Sequence, residues 1–198
     1  MPKKVVAIVG SYRKGGTIDS AIDAILDGAL EAGAEVEKIY LIDRQIKSCR
    51  NCRVCTQEAG LRRGVCVLQD DMDDILNRID AADALVLGSP MNFYTVTAAT
   101  KSFMERLVCY AYWPWGAGGP KFRNKQHSKQ AVVVASSAAP AFVARLSSDI
   151  VGLLKRVAKL LGAKKPRVLF IGMAAMEEKQ ALPQKVRAKA KALGEALA

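Results

Sequence analysis

Residues Val5–Thr17 read VVAIVGSYRKGGT. Five consecutive apolar residues, Val5 to Val9, mark a strand buried on both faces. Gly10 ends it, and a loop of small, hydroxylic and basic residues leads to Thr17, where an amphipathic helix opens. A strand that runs out into a helix N-terminus presents free backbone N–H groups at the positive end of a helix dipole, which suits an anion. Ser11 and Thr17 add hydroxyls, Arg13 and Lys14 add charge, and Gly15 and Gly16 let the backbone approach closely. The loop reads as a phosphate site. Gly16 stands where a nucleoside-triphosphate loop carries its lysine, and no G-x-G-x-x-G occurs, so two common nucleotide fingerprints are absent. A terminal phosphomonoester, with about −1.5 to −2 charge at neutral pH, fits instead.

Downstream, the apolar periodicity alternates between helix and strand. Helices are expected over Thr17–Glu31, Asp70–Ala82, Val96–Tyr110, Ala141–Leu161 and Pro183–Leu197. Further strands are expected at Val36–Ile42, Ala84–Gly88, Gln130–Ala135 and Arg167–Ile171. Asp70, Asp71, Asp73 and Asp74 resemble a metal cluster, but dipole-favoured capping of the second helix accounts for them. Five strands alternating with helices give an α/β fold with a doubly wound parallel sheet, whose ligand crevice lies beyond the C-terminal strand ends. Three loops then converge: Ser11–Thr17, Ser89–Tyr94 and Ser136–Pro140. The middle loop, GSPMNFY, supplies an amide and two aromatic rings able to line a flat heterocycle.

The 198 residues form one domain, 1–198, with a cysteine-containing insertion at about 43–69. No apolar run approaches the ~20 residues needed to cross a bilayer. The N-terminus lacks the apolar length and cleavage site of a secretory signal, so a cytoplasmic protein with no membrane partner is expected. Net charge is +11, and it is uneven: the first 99 residues carry 12 basic and 14 acidic side chains, the remainder 18 and 5. The basic side chains of the second half are dispersed at helical spacing without a recognition motif, so nucleic acid is not the expected partner. A basic nucleic-acid-associated protein remains the third reading.

Cys49, Cys52, Cys55 and Cys66 fall within 18 residues. The Cys-x2-Cys-x2-Cys spacing lets three thiolates reach three corners of a [4Fe–4S] cube, with a fourth from nearby. The arginines among them could offset its negative charge. Structural zinc usually shows two separated pairs, and a reducing compartment disfavours a disulfide, so cluster, zinc and free or redox-active thiols stay open. Cys109 reads as a core residue and His127 as a solvated one. Tyr112, Trp113 and Trp115, in an aromatic, glycine-rich excursion, are expected to cover the ligand or meet a second subunit.

The segments GSYRKGGT, CRNCRVC, GVCVLQDDM and LVLGSPMNFYTVTAATKSFMER, with the order of elements, resemble the flavodoxin-like NAD(P)H-dependent FMN reductases and the related iron–sulfur flavoproteins. The resemblance covers almost the whole chain and implies a sheet of order 2-1-3-4-5. It assigns Ser11, Arg13, Gly16 and Thr17 to the FMN phosphate, and Ser89, Pro90, Met91, Asn92, Phe93 and Tyr94 to the isoalloxazine ring and its phosphate side. Ser136 and Ser137 go to the pyrimidine end. The chain departs from the family at Tyr94, often Gly there, and in the third loop, SSAAP. Iron–sulfur flavoproteins bring their fourth cysteine closer than Cys66 stands, and other relatives share the cysteine triplet without a cluster. The implied activity passes electrons from NAD(P)H through FMN to a quinone, an azo compound, a metal ion or an iron–sulfur centre. No protein acid, base or nucleophile is required. The implied partners are a small-molecule or protein electron acceptor and further copies of the chain, as a homodimer or homotetramer. The alternative is a non-enzymatic, flavodoxin-like electron carrier.

Overall fold

In the computed structural model, which describes residues 1–60, 62–123, 127–177 and 180–198, the alternating pattern becomes a twisted parallel sheet with helices on both faces. The chain runs β1 (Lys4–Val9), α1 (Thr17–Glu31), β2 (Glu35–Tyr40), α2 (Met72–Asp80), β3 (Ala84–Pro90) and α3 (Ala98–Arg106). A short antiparallel hairpin follows, β4 (Ala111–Tyr112) with β5 (Lys121–Phe122). Then come β6 (Gln130–Ser136), α4 (Ala141–Ser147), α5 (Ile150–Leu160), β7 (Arg167–Ile171) and α6 (Gln184–Glu195). The five-stranded sheet has the order β2-β1-β3-β6-β7. Because the hairpin lies outside it, β6 and β7 are its fourth and fifth strands, and the expected order is met.

The sheet is buried on both sides, which explains the unbroken apolar runs. Val6, Ile8, Leu85, Leu87 and Val133 face one layer with Ile75, Phe103 and Leu154. Val5, Ala7, Val9, Val86 and Val132 face the other, with Ile18, Ile22 and Ile25 of α1 and Ala190 of α6. Among the described residues no helix is long and apolar enough to cross a membrane.

Three element boundaries differ from the sequence reading. The second strand stops at Tyr40, and Leu41–Asp43 form a 3₁₀ turn that starts the insertion. The helix expected over Val96–Tyr110 is α-helical only for Ala98–Arg106, capped by the Thr97 hydroxyl, and tightens into a 3₁₀ turn at Leu107–Tyr110. The helix expected over Ala141–Leu161 is two helices. Ser148 is extended at the break, and its hydroxyl accepts from Ile150 N (3.2 Å) while donating to Tyr94 O (2.6 Å). A serine that satisfies the backbone locally competes with helix continuation.

The insertion is fastened to the domain through the acidic start of α2. Asp71 accepts from Gln45 N (2.8 Å) and Asp70 from Lys47 N (2.8 Å) and Met72 N (3.1 Å). Asp70 also pairs with both terminal nitrogens of Arg106, at 2.5 and 3.2 Å, where both side chains are almost wholly buried. These carboxylates are thus tertiary fasteners more than dipole caps. At the far end, buried Arg123 donates to the carbonyls of Cys55, Glu58, Gly60 and Ala111.

Burial raises the Asp70 pKa, but the bonds from Arg106, Lys47 and Met72 outweigh it and hold the carboxyl below the ordinary value. Its contribution to stability is therefore full above the unfolded value of about 3.9 and is lost as pH falls below it through the folded value. Removing one partner of a buried pair strands the other charge, typically costing about 3–5 kcal/mol. Asp70→Ala is expected to lose that much in urea unfolding at pH 7 and less at pH 3. A loss under about 1 kcal/mol at pH 7 would contradict this role.

Candidate functional site

Beyond the C-terminal ends of β1, β3 and β6 lies a cavity of about 440 Å³, walled in part by Ser11, Arg13, Thr17, Met91, Asn92 and Ser136. The chain reverses direction across the sheet between β1 and β3, the position where doubly wound sheets bind ligands. A cleft of about 830 Å³ between α2 and the Arg62–Gln69 segment is larger. It is lined by α2 and the end of α3 and takes no residue from the strand ends at the switch point.

The anion loop is built from its own backbone. Gly10 N donates to Gly88 O (2.8 Å), carrying β1 one residue past its end. A Cβ at Gly10 would stand 1.9 Å from Thr100 Oγ1, so only glycine fits beneath α3. Ser11 Oγ accepts from Arg13 N (3.1 Å), turning the chain, and Gly15 takes φ +73°, a left-handed conformation glycine adopts freely. Gly16 precedes α1, and no side chain caps the helix, which leaves the N–H groups of its first turn available to an anion.

Asp19 holds this loop from behind. Its buried carboxylate accepts from Gly15 N (2.6 Å), Lys38 Nζ (3.0 Å) and Tyr40 Oη (3.0 and 3.1 Å). Burial raises its pKa, but these bonds outweigh burial and hold it below the usual carboxylate range. Lys38 is in turn shifted upward, because its bonds to Asp23, Tyr40 and Asp19 outweigh the desolvation that opposes them. The negative charge of Asp19 at a phosphate loop is therefore neutralised locally, and the loop keeps its cationic face.

Ser89 lies at the end of β3 and is wholly buried. Its hydroxyl donates to Pro90 O (3.0 Å) and accepts from Thr97 N (3.2 Å), while Thr97 Oγ1 donates to Gly10 O (2.6 Å). Ser89 thus acts as a knot between the first two loops and does not line the cavity. Met91 N donates to Ser136 O (2.7 Å), joining the second and third loops. Pro90, Met91, Asn92, Ser136 and Ser137 all line the cavity. Phe93 and Tyr94 do not: they project outward, 95 and 66% exposed, with φ of +47° and +65°. Tyr94 thus occupies the left-handed region that glycine favours.

The fourth wall, Ala174, Ala175, Glu177 and Gln180 after β7, was not anticipated. Ala174 N donates to Ser137 O (2.9 Å), and Thr17 Oγ1 points to Ala174 O (3.5 Å). Its small apolar residues carry no ligand-type signal in the sequence.

Cys49, Cys52, Cys55 and Cys66 line one cavity of about 20 Å³, roughly the space of a single water, together with Arg53 and Arg106. Asn51 and Arg53 both have left-handed backbones, φ +51° and +60°, and turn the chain between the cysteines. Asn51 N donates to Cys49 Sγ (3.4 Å). Among the described residues, no three His, Cys, Asp or Glu side chains are arranged to hold one metal ion. Burial, then the neighbouring Cys66, Cys49 and Cys52, raises the Cys55 thiol pKa, and burial pushes Cys109 up to about 12. Cys109 is a core residue and His127 is exposed, as expected. Tyr112, Trp113 and Trp115 do not line the 440 Å³ cavity. Instead, the two indoles stack on either side of Arg53.

Comparison with known proteins agrees with this geometry. The family model described as NADPH-dependent FMN reductase matches residues 3–157. An iron–sulfur flavoprotein of Archaeoglobus fulgidus is 32% identical over 159 residues, covering 80% of this chain and 64% of that protein. One from Methanocaldococcus jannaschii is 37% identical over 103 residues, 52% of this chain and 51% of that protein. The chain thus spans between half and two thirds of the length of these relatives. Among solved structures, an NAD(P)H:quinone oxidoreductase from Methanothermobacter marburgensis superposes with a TM-score of 0.68 at 19% identity. That match covers 100% of this chain and 98% of that one and bears on the fold alone.

Proposed function

The chain belongs to the NADPH-dependent FMN reductase family, and from that membership we propose that its 440 Å³ cavity binds FMN. The reading is that the protein passes electrons from NAD(P)H through the flavin to an acceptor. The observation that carries this is the uncapped start of α1 facing a cavity flanked by Ser11, Arg13 and Thr17. Flavin supplies hydride and single-electron chemistry when bound. The chain supplies the rest. Arg13 and the first turn of α1 would hold the phosphate, and Met91, Asn92, Ser136 and Ser137 would line the rest of the flavin's pocket. Ser89 keeps these loops in register through Thr97. The names of similar proteins favour a bound iron–sulfur centre, a quinone or an azo compound as acceptor.

The four cysteines match an iron–sulfur cluster in donor type, and Arg53 and Arg106 match its negative charge. The cavity is closed at about 20 Å³, so a cluster enters only if the loop bearing the exposed Cys52 moves outward. Once held, it would extend the flavin's electrons one at a time toward the protein surface.

The apolar surface beside the cavity fits a second copy of the chain. The Ser148–Tyr94 bond brings Tyr94 beside the end of α4, a helix whose Phe142 and Leu146 are 71 and 88% exposed. Such a contiguous patch commonly marks an interface. Equilibrium sedimentation is expected to give a homodimer or homotetramer, and a Leu146→Glu variant to shift it toward the 21.4 kDa monomer. A wild-type monomer at micromolar concentration would overturn this assembly.

The phosphate assignment separates FMN from riboflavin. Charge-assisted bonds contribute about 1.5–3 kcal/mol, so Arg13→Ala is expected to weaken FMN about 10- to 100-fold. Riboflavin affinity should stay nearly unchanged. Fluorescence titration with both flavins reads this directly, and equal losses for the two would contradict the assignment. Anaerobic addition of NADPH should then bleach the blue flavin band of the FMN-loaded chain.

A further inference from the structure

The two buried side-chain donors without a hydrogen-bond partner, among the described residues, are Arg53 Nε and Arg106 Nε. Arg53 and Arg106 both line the four-cysteine cavity. An unpaired buried N–H is costly, more so on a charged group, so two of them on residues lining one cavity call for a common acceptor.

Each arginine is anchored through other nitrogens. Arg106 uses its terminal nitrogens on Asp70 and donates to Lys47 O (2.9 Å), two residues before Cys49. Arg53 lies between two indoles, its Cζ 3.8 Å from the Trp113 ring centre and 4.2 Å from that of Trp115. Its Nη2 donates to Trp113 O (2.6 Å). Stacking and these bonds anchor each guanidinium, and in both cases the buried Nε–H is left without an acceptor. Arg106 is tied to the segment that leads into Cys49, and Arg53, itself between Cys52 and Cys55, is tied to the loop of Trp113 and Pro114.

We infer that Arg53 and Arg106 are positioning residues of the cysteine site, each donating its Nε–H to a sulfur of a thiolate-ligated, net-anionic iron–sulfur centre. This rests on the proposed cluster reading of the four cysteines. Hydrogen bonds and positive charge at cluster sulfurs favour the reduced form, which carries one more negative charge, and so raise the reduction potential. The two arginines act from different sides: Arg106 from the buried end of α3, Arg53 from the insertion itself. Tryptophan contact ties the second of these to the aromatic loop, which gives that loop a task distinct from covering the flavin.

The test uses the full chain, reconstituted anaerobically with ferrous iron and sulfide, as wild type, Arg53→Met and Asp70→Asn/Arg106→Met. Methionine keeps an apolar stem between the indoles, and the carboxamide oxygen introduced by Asp70→Asn can still accept from Lys47 N. Each change therefore removes the donor with limited loss of packing. Iron and sulfide content, the midpoint potential and FMN affinity are measured for each. The expected result is unchanged FMN binding with a cluster whose reduced-to-oxidised ratio falls about tenfold, a shift of about 59 mV to lower potential for a one-electron couple. Loss of iron with FMN binding intact also supports the assignment. If the paired variant fails to fold, Arg53→Met alone decides. A wild-type cluster with the same potential and iron content in the folded variants would overturn the role of the arginines and leave the cluster reading standing. Wild-type protein that retains no iron and sulfide would overturn both.

Discussion

The buried pair between Asp70 and Arg106 is the constraint on which most of the insertion depends. It joins the start of α2 to the end of α3, and through Lys47 it pins the chain just before the first cysteine. A pair of this kind adds little net stability compared with apolar residues of equal volume. Its consequence is specificity, because neither charge tolerates another partner at that depth. The segment from residue 44 to residue 70 lacks a helix or strand of its own, among the described residues, beyond a 3₁₀ turn at Val54–Thr56. It is shaped by what Asp70, Arg106 and Arg123 hold.

The same helix links the two candidate sites. At its N-terminus, Thr97 and Thr100 bond to Gly10 and Ser89, the residues on which the phosphate loop and the ring loop turn. At its C-terminus, Arg106 lines the cysteine cavity. Nine residues at ~1.5 Å rise make α3 about 13 Å long, so the two sites stand at the ends of one short rigid strut. Phe103 of α3 and Leu107 just beyond it pack into the core with the sheet, which fixes that separation independently of either ligand.

How much of this could be read beforehand follows from the range of each interaction. The strands and α1 were readable because their signal is local: continuous apolar runs for a sheet covered twice, and a stripe of period 3.6 for a covering helix. The anion loop was readable for the same reason, since Gly10, Ser11, Arg13 and Thr17 lie within one turn of chain. Asp19 was not, because its role needs Lys38 and Tyr40 from β2. The break at Ser148 escaped notice because its cause, the Tyr94 carbonyl, lies 54 residues away. Three cysteines declared themselves by spacing, whereas the position of Cys66 and the arginines between them depends on α2, α3 and the hairpin loop. The wall after β7 carried no recognisable motif, since its alanines contribute backbone and Glu177 and Gln180 stand alone in the sequence.

The central claim is that one chain carries a flavin pocket and a separate four-cysteine centre joined by α3. It is tested most directly by the anaerobic absorption spectrum of the purified, FMN-supplied protein, with flavin, iron, sulfide and zinc assayed per chain. The account predicts one FMN and about four iron and four sulfide, with a flavin band over a broad brown shoulder that dithionite bleaches. A colourless chain that refuses added FMN would contradict the flavin site, and a yellow chain free of iron and sulfide after reconstitution would contradict the cysteine centre.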